Sequence, residues 1–216
     1  MSVDLRVYLV TDPGLGGSRP VEHIVAAAVE GGVTIVQLRD KAAGPAALEA
    51  VARRLLTVLA GTGVPLVIND RMDVAAAVGA GLHVGRTDVA PVDARAALAP
   101  GVPLGVSTYA GRDLAPGEEE ALDYVAVGPV WETATKSDAG PGIGLDTVSR
   151  AARNNRLPVV GIGGIDAARA GEVVAAGAAG VAVVSAVMAA ADPRAAARAI
   201  RESVDAALAG RAEGER

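Results

Sequence analysis

Eight times along this chain a short apolar run bounded by Gly or Pro gives way to an Ala-rich stretch, and that alternation constrains the fold more than any other feature. The runs at 7–11, 34–38, 66–69, 81–84, 104–107, 124–127, 159–162 and 181–185 are rich in Val, Ile and Leu and too short for helices, so they read as buried strands. Helical stretches lie between and after them. Val25-Ala-Ala-Ala-Val-Glu-Gly-Gly32, Val74-Ala-Ala-Ala-Val-Gly-Ala-Gly81 and Val173-Val-Ala-Ala-Gly-Ala-Ala-Gly180 each run a helix into Gly, which stops helices cheaply, and then into a strand. Asp93, Asp166 and Asp192-Pro193 read as helix starts. Strand, helix, parallel strand is the unit of a parallel sheet. Eight such units in 216 residues predict an α/β fold, a single-domain (β/α)8 TIM barrel at the short end of the size range. The barrel is expected over 1–209, with 210–216 a polar tail expected to be disordered. A doubly wound open sheet is the competing fold. Its dinucleotide loop would have to be Gly14-Leu-Gly-Gly17-Ser, where the third glycine is misplaced and Pro20 follows, so this segment reads as a flexible loop.

Composition narrows the partners. With no Phe and no Cys, the core must be aliphatic, and neither disulfides nor thiolate metal sites are available. A net charge of −5 with the two signs interspersed leaves no basic face for nucleic acid. No uninterrupted apolar run is long enough to span a membrane, and Met1-Ser-Val-Asp4 does not open a signal peptide, so a soluble cytoplasmic protein is expected. A homo-oligomer is compatible with these features.

In a barrel of this kind the active site is built on the loops that follow the strands, with phosphate commonly held after strands seven and eight. Residue types that the chain otherwise avoids collect there. Among 20 basic residues Lys41 and Lys136 are the only lysines, and Gln37 and Trp131 are the only Gln and Trp. Strand two ends in Gln37-Leu-Arg39-Asp-Lys41, two cations and an amide whose convergence favours an anionic ligand. Strands three and four end in Asn69-Asp70 and in Gly85-Arg-Thr-Asp88, a carboxylate pair suited to Mg²⁺ completed by waters and ligand phosphates. Gly161-Ile-Gly-Gly164 and Val184-Ser185 expose backbone N–H groups near helix starts, as an anion requires. The loop after strand six carries Trp131, Thr133, Thr135 and Lys136 and is long enough to be a lid over the site. His83 reads as a packed strand residue. With no Cys, and with neither His expected where it could activate Ser107, the chemistry is expected to be electrostatic.

In order along the chain, Tyr8-Leu-Val-Thr-Asp12, Gln37-Leu-Arg-Asp-Lys41, Ile68-Asn-Asp70, His83-Val-Gly85 with Asp88, Gly105-Val-Ser107, Gly128-Pro-Val with Thr133-Ala-Thr-Lys136, Gly161-Ile-Gly-Gly-Ile165 and Val184-Ser185 resemble the motifs of thiamine-phosphate synthases. The resemblance runs to the last helix. It implies a Mg²⁺-assisted transferase that joins 4-amino-2-methyl-5-hydroxymethylpyrimidine diphosphate to a thiazole phosphate, or its carboxylated form, releasing pyrophosphate and making thiamine monophosphate. By position it implies that Gln37, Leu38, Arg39, Asp40, Lys41, Asn69, Ser107 and Lys136 bind the pyrimidine diphosphate, with Arg39, Lys41, Ser107 and Lys136 acting in catalysis. It assigns Asp70 and Asp88 to Mg²⁺, and Thr133, Ala134, Thr135, Gly164, Val184 and Ser185 to the thiazole phosphate. Arg86 stands where the family usually has Gln, Tyr109 where it often has His, and Glu132 where Pro is common. A thiazole tautomerase-like relative and a non-catalytic phosphate-binding barrel are the alternatives; retention of Asp70, Asp88, Thr135 and Lys136 argues against the first, though Glu132 favours it, and the second would not need the metal pair.

Overall fold

The structure, a computed structural model, describes residues 3–108, 114–115, 117–133 and 140–214. Eight parallel strands close into a barrel in sequence order: β1 Val7–Val10, β2 Ile35–Leu38, β3 Leu66–Asn69, β4 Gly81–Val84, β5 Leu104–Thr108, β6 Tyr124–Val127, β7 Val159–Ile162 and β8 Gly180–Val183. The helices are α1 Val21–Glu30, α2 Pro45–Leu59, α3 Met72–Val78, α4 Pro91–Ala97, α5 Gly144–Asn154, α6 Ala167–Ala175, α7 Ser185–Met188 and α8 Pro193–Gly214. The TIM barrel expected from the sequence is therefore the fold.

Both faces of each strand are buried, which is why the strands read as continuous apolar runs rather than as alternating ones. Period-two geometry still sorts the side chains. Leu9, Leu38, Ile68, Leu82 and Val125 face the helices in the main core, whereas Tyr8, Val10, Ile35, Val67, Tyr124, Val160 and Ala182 fill the barrel interior. The interior has room for two tyrosines because small residues stand opposite them. A Cβ placed on Gly105 would lie 2.1 Å from Cζ of Tyr124, so the ring lies directly against the β5 backbone.

The structure departs from the sequence reading in five places. The last helix continues through Gly214 rather than ending at 209, because Arg211 donates to the carbonyls of Val174 and Ala178 and ties the final turn to α6 and the entry to β8. Among the described residues the β5–β6 connection carries a single 3₁₀ turn, Glu119–Ala121, in place of a helix. β8 ends at Val183 because Ser185 already opens α7. Asp166 and Asp192 do cap, accepting from the backbone N–H of Arg169 and Ala195, but α4 starts at Pro91 with Asp93 inside its first turn. The 14–18 segment is a defined turn and not a loose loop: Asp12 accepts from Gly14 N, and the Arg19 guanidinium donates to the carbonyls of Gly16, Met188 and Ala190.

Arg95 on α4 plays a similar tying role away from the site. It donates to the carbonyls of Ala121 and Val102 and, at 2.6 Å, to Asp123, whose carboxylate also accepts from Leu104 N at the start of β5. Arg95→Ala removes one charged donor from three acceptors, so a loss of about 2 kcal/mol is expected. A denaturant midpoint lowered without a change in slope would verify it.

Candidate active site

At the strand C-termini the barrel opens into a cavity of about 800 Å³ lined by all eight strand ends or the loops after them. That volume lies within the range of small-molecule sites, toward its upper end. Gln37, Arg39, Lys41, Asn69, Asp70, Asp88, Ser107, Thr133, Gly164, Val184 and Ser185 all line it. Two residues expected in the site do not. Leu38 has the opposite strand parity and packs in the helix-facing core, and Asp40 accepts from the backbone N–H groups of Ala42 and Ala43, which shapes the turn that carries Lys41. Ala134, Thr135 and Lys136, and with them most of the expected lid, lie outside the described residues, as does Tyr109.

The cationic side is organised from β1. Thr11 Oγ1 accepts from Arg39 N at 3.0 Å, and Asp12 meets the Arg39 guanidinium at 3.6 Å, so the arginine is held over the cavity by a carboxylate beneath it. On the neighbouring strand ends, burial and the facing charge of Asp88, which also shares a hydrogen bond with it, hold the Asp70 carboxyl above the usual carboxylate range, against the opposing effects of Asn69 and Lys41. Asp70 adopts φ 61°, the left-handed region that few residues other than Gly, Asn and Asp tolerate. Asp88 is fixed in turn by the 2.7 Å bond it accepts from Gly85 N. Two facing carboxyls, beside a Lys and an Asn, form a donor set that fits a hard divalent cation whose remaining ligands are water and phosphate oxygens.

The opposite wall is made by the loops after β6, β7 and β8. Val130 N donates to Ile162 O and Trp131 N to Gly163 O, while Ile143 N and Gly144 N return to Pro129 O and Val130 O, so both stems of the strand-six loop are pinned. Gly163 and Gly164 have φ of 101° and 67°, and a Cβ on Gly164 would meet Trp131 at 2.8 Å; only glycine lets these loops approach. Arg169, unremarked in the sequence, locks this wall by donating to Gly164 O at 2.7 Å and lying 4.9 Å above the Trp131 ring.

The floor of the cavity differs most from the sequence reading. His83 does pack in the barrel, stacked on Tyr124, but its Nε2 is also 2.9 Å from Ser107 Oγ, a His–Ser pair that was not expected. Pairing of His83 with Gly105 across β4 and β5 sets His83 and Ser107 on the same inward face one layer apart. Nδ1 of His83 is 3.0 Å from the Tyr124 hydroxyl, which is 2.8 Å from the Tyr8 hydroxyl, to which Gln37 Nε2 donates at 2.8 Å. Burial pushes both phenols above their ordinary range, so they stay neutral. The only signal in the sequence was that two of the three tyrosines sit inside strand runs.

Comparison with known proteins decides the family. The thiamine monophosphate synthase family model matches residues 7–187. The chain belongs to the thiamine monophosphate synthase family. Thiamine-phosphate synthases of Xanthobacter autotrophicus and Albidiferax ferrireducens are 50% and 47% identical to it, over 94% of this chain in both cases and 97% and 93% of theirs. The thiamine phosphate pyrophosphorylase structure from Pyrococcus furiosus superposes with a TM-score of 0.85 at 34% identity, covering 95% of this chain and 98% of that one. Members of the thiamine monophosphate synthase family are transferases, and this chain is an enzyme of that class. Among its described residues no helix is long and apolar enough to cross a membrane.

Proposed function

We propose that the enzyme joins 4-amino-2-methyl-5-hydroxymethylpyrimidine diphosphate to 4-methyl-5-(2-phosphoethyl)thiazole, giving thiamine monophosphate and pyrophosphate, or to its carboxylated form with loss of CO2 as well. The observation that carries this reading is the division of one cavity into a cationic wall beside a carboxyl pair, Arg39, Lys41, Asp70 and Asp88, and a glycine-rich wall with Thr133, Gly164, Val184 and Ser185 opposite. The first wall suits a diphosphate, the second a monoester phosphate, and the space between them leaves both ring systems within reach of each other.

Asp70 and Asp88 would hold Mg²⁺, which when bound supplies positive charge to the diphosphate oxygens. Arg39 and Lys41, with Lys136 from the strand-six loop, bind the diphosphate and neutralise the charge that develops as the carbon–oxygen bond breaks. Ser107 and Gln37 orient the aminopyrimidine, whose amino group stabilises the resulting methylene cation. The thiazole nitrogen then supplies the electron pair for the new carbon–nitrogen bond, and no protein base is needed at that step. Water would capture the same cation, which gives the loop walls above the site a second task, exclusion of solvent.

Incubating purified protein with both substrates, with and without Mg²⁺, tests the reading directly. Thiamine monophosphate and pyrophosphate are expected in equal amounts and only with the metal. Absence of product under every condition would overturn the assignment.

A further inference from the structure

The hydrogen bonds beneath the cavity form one continuous chain, Gln37 to Tyr8 to Tyr124 to His83 to Ser107, contributed by β2, β1, β6, β4 and β5. Every member but Tyr124 lines the cavity, and the two phenols are packed tightly into its floor, Tyr8 and Tyr124 being 1% and 0% exposed. Every internal member is a group that donates one proton and accepts another, so the direction of one bond dictates the direction of the next.

The direction is set at Gln37. Its Nε2 can only donate, and it donates to the Tyr8 oxygen. The Tyr8 proton then lies on Tyr124, and the Tyr124 proton on Nδ1 of His83, which must be bare to accept it. The imidazole proton therefore resides on Nε2 and is donated to Ser107 Oγ, leaving the serine hydroxyl proton for the cavity. Reversing the chain would require the amide to present Oε1 to Tyr8, and would turn Ser107 into an acceptor for any ligand. We propose that Tyr8, Tyr124 and His83 are positioning residues, a relay that fixes Ser107 as a hydrogen-bond donor to the ligand while Gln37 offers its carbonyl oxygen as an acceptor. This pattern matches a planar heteroaromatic amine with a bare ring nitrogen at one edge and an amino group at another. It also explains why the His–Ser pair is not a nucleophile–base dyad: the nitrogen facing Ser107 already carries its proton.

That the ligand is the aminopyrimidine rests on the function proposed above, but the polarity of the relay does not, and the test needs no substrate. The chain has two histidines, and the other, His23 on α1, is solvent-exposed, so ¹⁵N-histidine NMR of the intact protein resolves His83 by comparison with a His23→Asn variant. In alkaline buffer His83 is expected as the neutral Nε2–H tautomer. Gln37→Glu puts a carboxylate, which only accepts, at the head of the chain and is expected to move the His83 proton to Nδ1, three hydrogen bonds away. Adding Tyr8→Phe cuts the chain and is expected to return it to Nε2. An unchanged tautomer in Gln37→Glu, or a shift that survives Tyr8→Phe, would overturn the relay. If Gln37→Glu does not fold, Gln37→Leu removes the amide that sets the direction of the chain; a mixture of tautomers is then expected, and a pure Nε2–H form would refute the proposal. A protein that makes no thiamine monophosphate yet shows these shifts refutes the function and leaves the relay standing.

Discussion

Asp70→Asn is expected to lower turnover by at least ~10²-fold, the scale of losing one preorganised charge at a reacting diphosphate, while raising the melting temperature of the metal-free protein. The two effects have a single origin. Burial of Asp70 and the charge of Asp88 facing it make the folded state hold the Asp70 proton more tightly than the unfolded chain does. For a carboxyl raised by folding, the native state binds more protons in the window between the two pKa values, and stability falls as pH rises through it. Above that window the destabilisation is fully present. Asparagine removes the repulsion, and it tolerates the left-handed backbone at φ 61° that alanine would resist, so the stability gain is not masked by strain. Mg²⁺ is expected to stabilise the parent enzyme in proportion to its occupancy and to lose that effect in the variant. Steady-state rates and thermal melts with and without Mg²⁺ check all three. Near-normal turnover would remove the metal role from Asp70, and an unraised melting temperature would remove the repulsion.

The barrel was legible because burial on both strand faces writes each strand as an unbroken aliphatic run, and glycine marks the ends of the helices before it. The strand positions agree to within a residue at most ends; β8 reads long because Val184 continues the apolar run up to Ser185, which already opens α7. The cavity wall was legible for a different reason: Lys, Gln and Asn are rare here, and they stand out at strand ends. What could not be read was anything that depends on how strands stagger across the closed barrel. Tyr8 and Tyr124 are 116 residues apart and on opposite sides of the sheet order, and no periodicity in the sequence relates them. The His83–Ser107 bond depends on the β4–β5 register, which only closure fixes. Leu38 and Asp40 join Arg39 and Lys41 in the site only through the family resemblance; strand parity turns Leu38 outward, and Asp40 shapes the turn that carries Lys41. Arg169 carries no sequence signal, since one arginine in a helix of an Arg-rich chain looks like any other.

Gly105→Ala is expected to damage the floor of the barrel severely. The added Cβ would lie 2.1 Å from Cζ and 2.4 Å from both Cε atoms of Tyr124, so the ring meets it face on and no rotamer change of an alanine relieves the contact. The ring is not free to yield either. Its hydroxyl is held by Tyr8 and His83, its edge packs against Tyr8 at 75°, and its face stacks on His83. Overpacking of this kind costs about 3 kcal/mol, the upper part of the usual range, because backbone on one side and a bonded ring on the other both resist. For a domain of this size that corresponds to a melting temperature lower by roughly 10 °C. The methyl group also lies beneath the relay, so whatever displacement of Tyr124 accommodates it must lengthen the bonds to His83 and Tyr8. Gly105→Ala combined with Tyr124→Leu separates the two consequences. The smaller side chain makes room, so much of the melting temperature should return, whereas the hydroxyl is gone and KM for the pyrimidine diphosphate should stay raised with KM for the thiazole phosphate unaffected. A single Gly105→Ala protein that melts like the parent would show that Tyr124 is not wedged against β5, and a double variant that restores both stability and pyrimidine KM would detach the floor of the barrel from the recognition of the substrate above it.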